Sequence, residues 1–120
     1  MASTLTPAEL YPVASLVTPT PHGIASRVVA RTAAGNVTVF AFDAGEELAE
    51  HTAPFDALLL TLSGALTLTI GGRGVRTTAS TVVLMPANVP HAVHAVEPSQ
   101  ALLIMLRDTP TAGTRSDTTA

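Results

Sequence analysis

Short β-branched runs recur at close spacing between positions 24 and 107, each closed off by Gly, Asn, Asp or Pro, and no segment keeps a sustained helical period. Runs fall at 24–31, 36–43, 58–63, 65–70, 75–78, 82–85, 91–96 and 101–107. The stretch NVTVFAFD alternates cleanly, with Val37, Val39 and Ala41 on one face and Thr38, Phe40 and Phe42 on the other. Gly64 separates two of the runs and Gly71-Gly72 opens another turn, both places where a glycine backbone fits. Eight or nine strands at this spacing predict an all-β domain, a double-sheet sandwich or barrel, over residues 21–107. No internal repeat is visible. Pro7, Pro12, Pro19 and Pro21 break up the opening stretch, so residues 1–20 are expected as an irregular arm, laid over the domain or over a neighbouring subunit. Residues 108–120 are polar and patternless and are expected as a flexible tail.

Composition removes several function classes. A formal charge of −3, six arginines without a cluster, no lysine and four aromatic residues argue against nucleic-acid binding. The absence of cysteine excludes disulfides, thiolate catalysis and cysteine-ligated zinc. MASTLTPAEL lacks the basic and apolar regions of an export signal, and no apolar run reaches membrane-spanning length. These features predict a soluble cytoplasmic protein without a membrane partner.

The segment GEELAEHTAPFDALLLTLSG, from Gly45 to Gly64, has an ordered frame. Gly45 is followed by five residues and then His51, and Gly64 closes the frame. A second segment, PANVPHAVHA, brings Pro86 and His91, and fifteen residues, 65–79, separate the two. Together they resemble the two motifs of the small single-domain cupins, the cupin-2 or RmlC-like family, and the resemblance covers residues 36 to 107. EHTAPFDA followed by MPANVPHAV is similar to a subgroup of small cupin-2 proteins. The first family motif would carry a second histidine at position 53 and a glutamate at 57, but both are alanine here. In the second, the expected glycines are Ser80 and Asn88 and the expected asparagine is Ala95. Asparagine tolerates left-handed backbone, so Asn88 is a mild departure. The resemblance implies a cupin-type double-stranded β-helix, or jelly-roll barrel, with a degenerate metal site.

In the family, a divalent metal is held in the barrel mouth by three histidines and a glutamate, ligands that suit iron, manganese, nickel and zinc. This chain keeps His51 and His91, which predicts either no metal or a weakly bound divalent ion. Asp56 and His94 are the candidate extra ligands, although strand alternation sets Asp56 off the face shared by 51, 53, 55 and 57, and His94 off that of His91. A bend at Pro54 would upset that count. Without metal, two imidazoles in an apolar pocket would each disfavour the other's charged form, leaving at least one ring neutral and able to act as a base. Phe40, Phe42 and Met85 are candidate pocket residues, Phe55 a rim residue, and Ala53 and Ala57 are expected to leave a larger, more apolar cavity.

Three functions follow. One is a pocket enzyme in which His51 and His91 do metal-independent acid–base work on a small apolar or carbonyl compound, as an isomerase, cyclase or dehydratase. Another is a metal-dependent oxygenase or isomerase with a reduced site. The last is a non-catalytic small-ligand binder. A homodimer is also expected, joined through the edge strand at 24–31.

Overall fold

A computed structural model describes residues 4–107. The tail at 108–120 lies outside the described residues. After a short 3-10 turn, Val13–Ser15, nine strands follow: β1 (Ile24–Thr32), β2 (Gly35–Phe42), β3 (Glu47–His51), β4 (Asp56–Ser63), β5 (Ala65–Ile70), β6 (Arg73–Thr78), β7 (Thr81–Met85), β8 (His91–Ala95) and β9 (Ser99–Leu106). They form two sheets, one in the order β1-β2-β9-β4-β7 and the other β3-β8-β5-β6. Every pairing is antiparallel. Among the described residues no helix is long and apolar enough to cross a membrane.

The alternation in β2 does what its pattern implies. Phe40 and Phe42 turn inward, in contact with a core of Leu59, Leu66, Leu68, Met85, Val93 and Ala101 held between the sheets. Val39 and Ala41 turn outward, where residues 4–20 lie over them through Leu16 and Val17, with Leu5 and Tyr11 packed alongside. The arm therefore covers its own domain, and part of the five-stranded sheet is buried on both faces.

One end of the barrel is sealed. Gly64 has φ +82°, and a Cβ there would collide with Ser99 Oγ and the Pro98 carbonyl. Ser99 Oγ accepts the Ala65 N–H at 3.0 Å. The buried hydroxyls of Thr61 and Thr77 bond across from one sheet to the other at 2.8 Å. Ser80 and Asn88, which stand where the family pattern has glycine, adopt φ +67° and +64°. The backbone keeps the left-handed geometry although the residue type has changed.

Candidate functional site

The opposite end of the barrel brings His51 and His91 together. His51 closes β3 and His91 opens β8, and the two are direct partners in the β3–β8 ladder. A register shift makes this possible. Glu47 pairs with His94 and Leu48 with Val93, after which the ladder skips to His51 with His91. Three steps along β3 match two along β8, so β3 carries an extra residue. That bulge returns His51 to the inward face of Leu48, where plain alternation would have turned it outward.

The rings stand 4.4 Å apart between centroids at an interplanar angle of 67°, edge to face. His91 is buried, at 7% exposure, whereas His51 is exposed at the mouth. Each Nδ1 lies against a backbone carbonyl two residues back: Ala49 at 3.0 Å for His51, and Val89 at 3.2 Å for His91. A carbonyl can only accept, so each Nδ1 carries the hydrogen and donates it. Each neutral ring is thereby left with its lone pair on Nε2.

The rings border a cavity whose other walls include Phe40, Phe42, Leu48, Leu59, Met85 and Leu103. Among the described residues the imidazoles are the only polar side chains that line it. Its volume is about 40 Å³, room for roughly one or two water molecules. The cavity is small even with alanine at positions 53 and 57. Ala57 is buried between Met85 and Met105, its ladder partners on either side. Met85 lines the cavity, and a methionine side chain is flexible enough to fill space beside a small residue.

The remaining candidates lie elsewhere. Ala53 is off the cavity, and its carbonyl accepts the Asn88 N–H at 2.7 Å. Phe55 is also off the lining, with the Arg107 guanidinium 5.0 Å above its ring. Asp56 opens β4 on the outward side, opposite Leu106, and its carboxylate accepts the Ala87 N–H at 2.8 Å. His94 is exposed on the outer side of β8, and its Nδ1 is 3.6 Å from Glu47. Neither joins the imidazole pair. Residues 52–55 form a loop, so alternation cannot be counted through Pro54. Leu48, Leu59, Val93, Ala101 and Leu103 line the cavity and were not singled out from the sequence. Their signal was parity: Leu59 shares a face with Ala57, and Val93 with His91.

These positions test the family metal directly. Among the described residues no group of three or more His, Cys, Asp or Glu is placed to hold a metal ion. The donor set here is two imidazoles, with alkyl side chains where the other ligands would stand. It does not fit the three-histidine, one-carboxylate site.

A two-sheet antiparallel barrel with a histidine-bearing open end defines the class of protein. The cupin-domain family model matches residues 38–107, and the chain belongs to that family. Among solved structures, a conserved protein of unknown function from Streptococcus pyogenes, SPY1581, is 29% identical over 92% of this chain and 98% of its own, with a TM-score of 0.83. A cupin superfamily protein from Desulfitobacterium hafniense DCB-2 is 24% identical over 89% and 97%, with a TM-score of 0.81. KdgF from Halomonas sp. is 23% identical over 77% and 86%, with a TM-score of 0.68. No curated protein matches the chain.

Proposed function

We propose that this cupin binds a small carbonyl compound at the open end of its barrel, and that His51 and His91 move a proton on it without a protein-held metal. One observation carries the reading: both Nδ1–H groups are committed to backbone carbonyls, and the rings nonetheless meet at 4.4 Å. Each ring is held in one tautomer, with Nε2 available as a base.

The chemistry follows from this arrangement. Nε2 of one ring takes a proton from the carbon next to the carbonyl, and the resulting imidazolium keeps its Nδ1–H on the carbonyl of Ala49 or Val89. Those carbonyl dipoles stabilise the positive charge as it forms. Returning the proton to a different atom or face gives isomerisation; if the imidazolium instead gives its proton to a hydroxyl β to the carbonyl, that group leaves as water, the double bond forms, and the result is dehydration. We assign the base to buried His91, and to exposed His51 the exchange of protons with solvent. A cavity of about 40 Å³ takes only the reacting end of a ligand, so the rest of the molecule lies at the mouth. The apolar walls favour an alkyl group beside the carbonyl.

Proton NMR in D2O tests this directly, following exchange at the α-carbon of small 2-oxo acids and methyl ketones. The expected result is exchange above the buffer rate with the wild type. His91→Gln and His51→Gln should each lose about 10²- to 10⁴-fold of that enhancement, the usual worth of a positioned proton-transfer group. Exchange that survives in both variants overturns the reading. Exchange that disappears with EDTA and returns with one equivalent of zinc or manganese would instead make the site metal-dependent. Saturable binding with no exchange in any compound would make the protein a ligand binder.

A further inference from the structure

At the open end of the barrel a second hollow lies beside the turn between β1 and β2. It is a cleft of about 190 Å³ lined by Arg31, Thr32, Gly35, Asn36 and Arg107. Two sets of contacts build it. The Arg107 N–H donates to the Ala34 carbonyl at 2.6 Å, which ties the end of β9 to that turn. Arg31 pairs with Asn36, Asn36 with Met105, and Met105 in turn with buried Ala57. Ladder partners share a face, so Arg31 and Asn36 stand on the inner side of the five-stranded sheet, the side that walls the barrel. Arg107 comes to the mouth by another route. Its guanidinium lies 5.0 Å above the ring of Phe55, in the loop that follows His51.

What the side chains of this cleft offer is hydrogen-bond donors. Thr38 Oγ1 donates to Asn36 Oδ1 at 3.2 Å, so the oxygen of that amide is engaged and its NH2 group is left to donate. The Thr32 hydroxyl oxygen accepts the Ala34 N–H at 3.1 Å and keeps its own hydrogen. Each guanidinium brings N–H groups and no acceptor. The Phe55 ring holds the Arg107 guanidinium through its π face, which consumes none of those hydrogens. Among the described residues neither arginine forms an ion pair. Asp56, opposite Leu106 in the ladder, directs its carboxylate to the Ala87 N–H instead. Two like charges in one cleft repel, and an oxyanion bound between them replaces that repulsion by attraction.

We propose that the ligand of this barrel is a keto acid, and that Arg31 and Arg107 hold its carboxylate while its carbonyl end enters the cavity beside the imidazoles. The inference rests on the mouth being a ligand site, as proposed above, and not on the proton transfer. The two hollows complement each other. The cavity has apolar walls and room for one end of a molecule, and the cleft supplies donors and positive charge. Their separation sets the ligand's length. Leu103 in the cavity and Arg107 are four residues apart along the chain, roughly 13 Å at about 3.3 Å per residue. Even where an arginine side chain spans much of that, a 2-oxo acid, with its carboxylate directly on the carbonyl, is too short to reach both. The fit is a methyl ketone joined to a carboxylate by an extended chain of several carbons.

The test is an NMR titration of the full chain with methyl keto acids of increasing length, from 4-oxopentanoate to 8-oxononanoate, each beside its methyl ester. The longer acids should shift the Nε–H signals of Arg31 and Arg107 together with the ring signals of His51 and His91. Their Kd should lie about tenfold or more below that of the ester, the worth of a hydrogen bond to a charged group. R31M/R107M should bind acid and ester alike, with an unchanged far-ultraviolet spectrum because both side chains are exposed. Arg76→Met, at an exposed position of β6 in the other sheet, should keep the preference. Equal binding of acid and ester by the wild type overturns the proposal, and so does a preference that survives in R31M/R107M. Arginine shifts with inorganic phosphate, but no histidine shift with any keto acid, would make the cleft a separate anion site and overturn the assigned ligand. If the double variant fails to fold, Arg107→Lys decides, because it keeps the charge and loses the planar fork. A weakened acid preference there supports the proposal, and an unchanged one refutes it. In the exchange assay R31M/R107M should raise KM for the acids while kcat, and KM for the esters, stay the same. No exchange with any compound, alongside the acid preference described, refutes the proton transfer and still supports this assignment.

Discussion

The two ends of this barrel are built from the same strands and use their polar groups in opposite ways. At the sealed end the buried polar side chains of the described residues are spent within the protein. Thr61 and Thr77 bond to each other, Ser99 serves the Ala65 backbone, and Gly64 leaves room for that contact. At the open end two imidazoles use one nitrogen each for the backbone and hold the other in reserve. A buried side chain that satisfies its neighbours contributes to stability, whereas one with an uncommitted lone pair beside a cavity can serve a ligand. Substitutions at the sealed end should therefore cost stability and spare proton exchange. Those at the open end should do the reverse.

The largest effect expected is on exchange. His91→Gln and His51→Gln should remove most of it, as argued above, while thermal unfolding shifts little. Next comes Gly64→Ala. It forces an L-residue into φ +82° and drives a methyl into Ser99 Oγ and the Pro98 carbonyl. Left-handed strain of about 1–2 kcal/mol and overpacking of about 1–3 kcal/mol add to a loss of several kcal/mol, which denaturant titration will show. Thr61→Val is smaller, at about 1–2 kcal/mol, because Thr77 keeps a weak alternative acceptor in the Leu66 carbonyl at 3.4 Å. If Thr61→Val abolishes exchange while the protein remains folded, the two ends are not separate and the contrast between them fails.

Much of this division can be read from the residues, and the unread part has definite causes. The alternation of β2, the glycine turn at 64 and the pairing of His51 with His91 all follow from patterning and motif register. The left-handed backbone at Asn88 follows from its place in the motif. Strand β3 escapes because ELAEH is rich in Glu and Ala, poor strand formers, and only its ladder with β8 makes it a strand. The bulge between Leu48 and His51 escapes for a related reason: alternation has no symbol for an extra residue, and His51 turns inward only because one is there. The loop at 52–55 defeats the same count for Ala53 and Phe55. The size of the cavity depends on how Met85, Leu59 and Leu103 pack against Phe40 and Phe42, which is a matter of side-chain packing between strands distant in sequence.

The smallest effect expected concerns the turn after β2, at the sealed end. The backbone N–H of His22, 2.6 Å from one carboxylate oxygen, and that of Ala44, 2.8 Å from the other, hold the Asp43 carboxyl below its ordinary value. A carboxylate favoured in the folded state contributes stability above its unfolded pKa of about 3.9, and loses it as pH falls through the lower folded value. The group lies at the surface, so solvent screens the effect and the contribution is modest. Asp43→Asn keeps an acceptor for one N–H and removes the titration. The melting temperature of the wild type should fall more steeply below pH 4 than that of Asp43→Asn, while the two profiles run parallel near neutrality. Because Asp43 also ties His22 to the base of β2, at the end away from the imidazoles, exchange at neutral pH should be the same in both proteins. A slower rate in Asp43→Asn would mean that the sealed end sets the geometry of the open one.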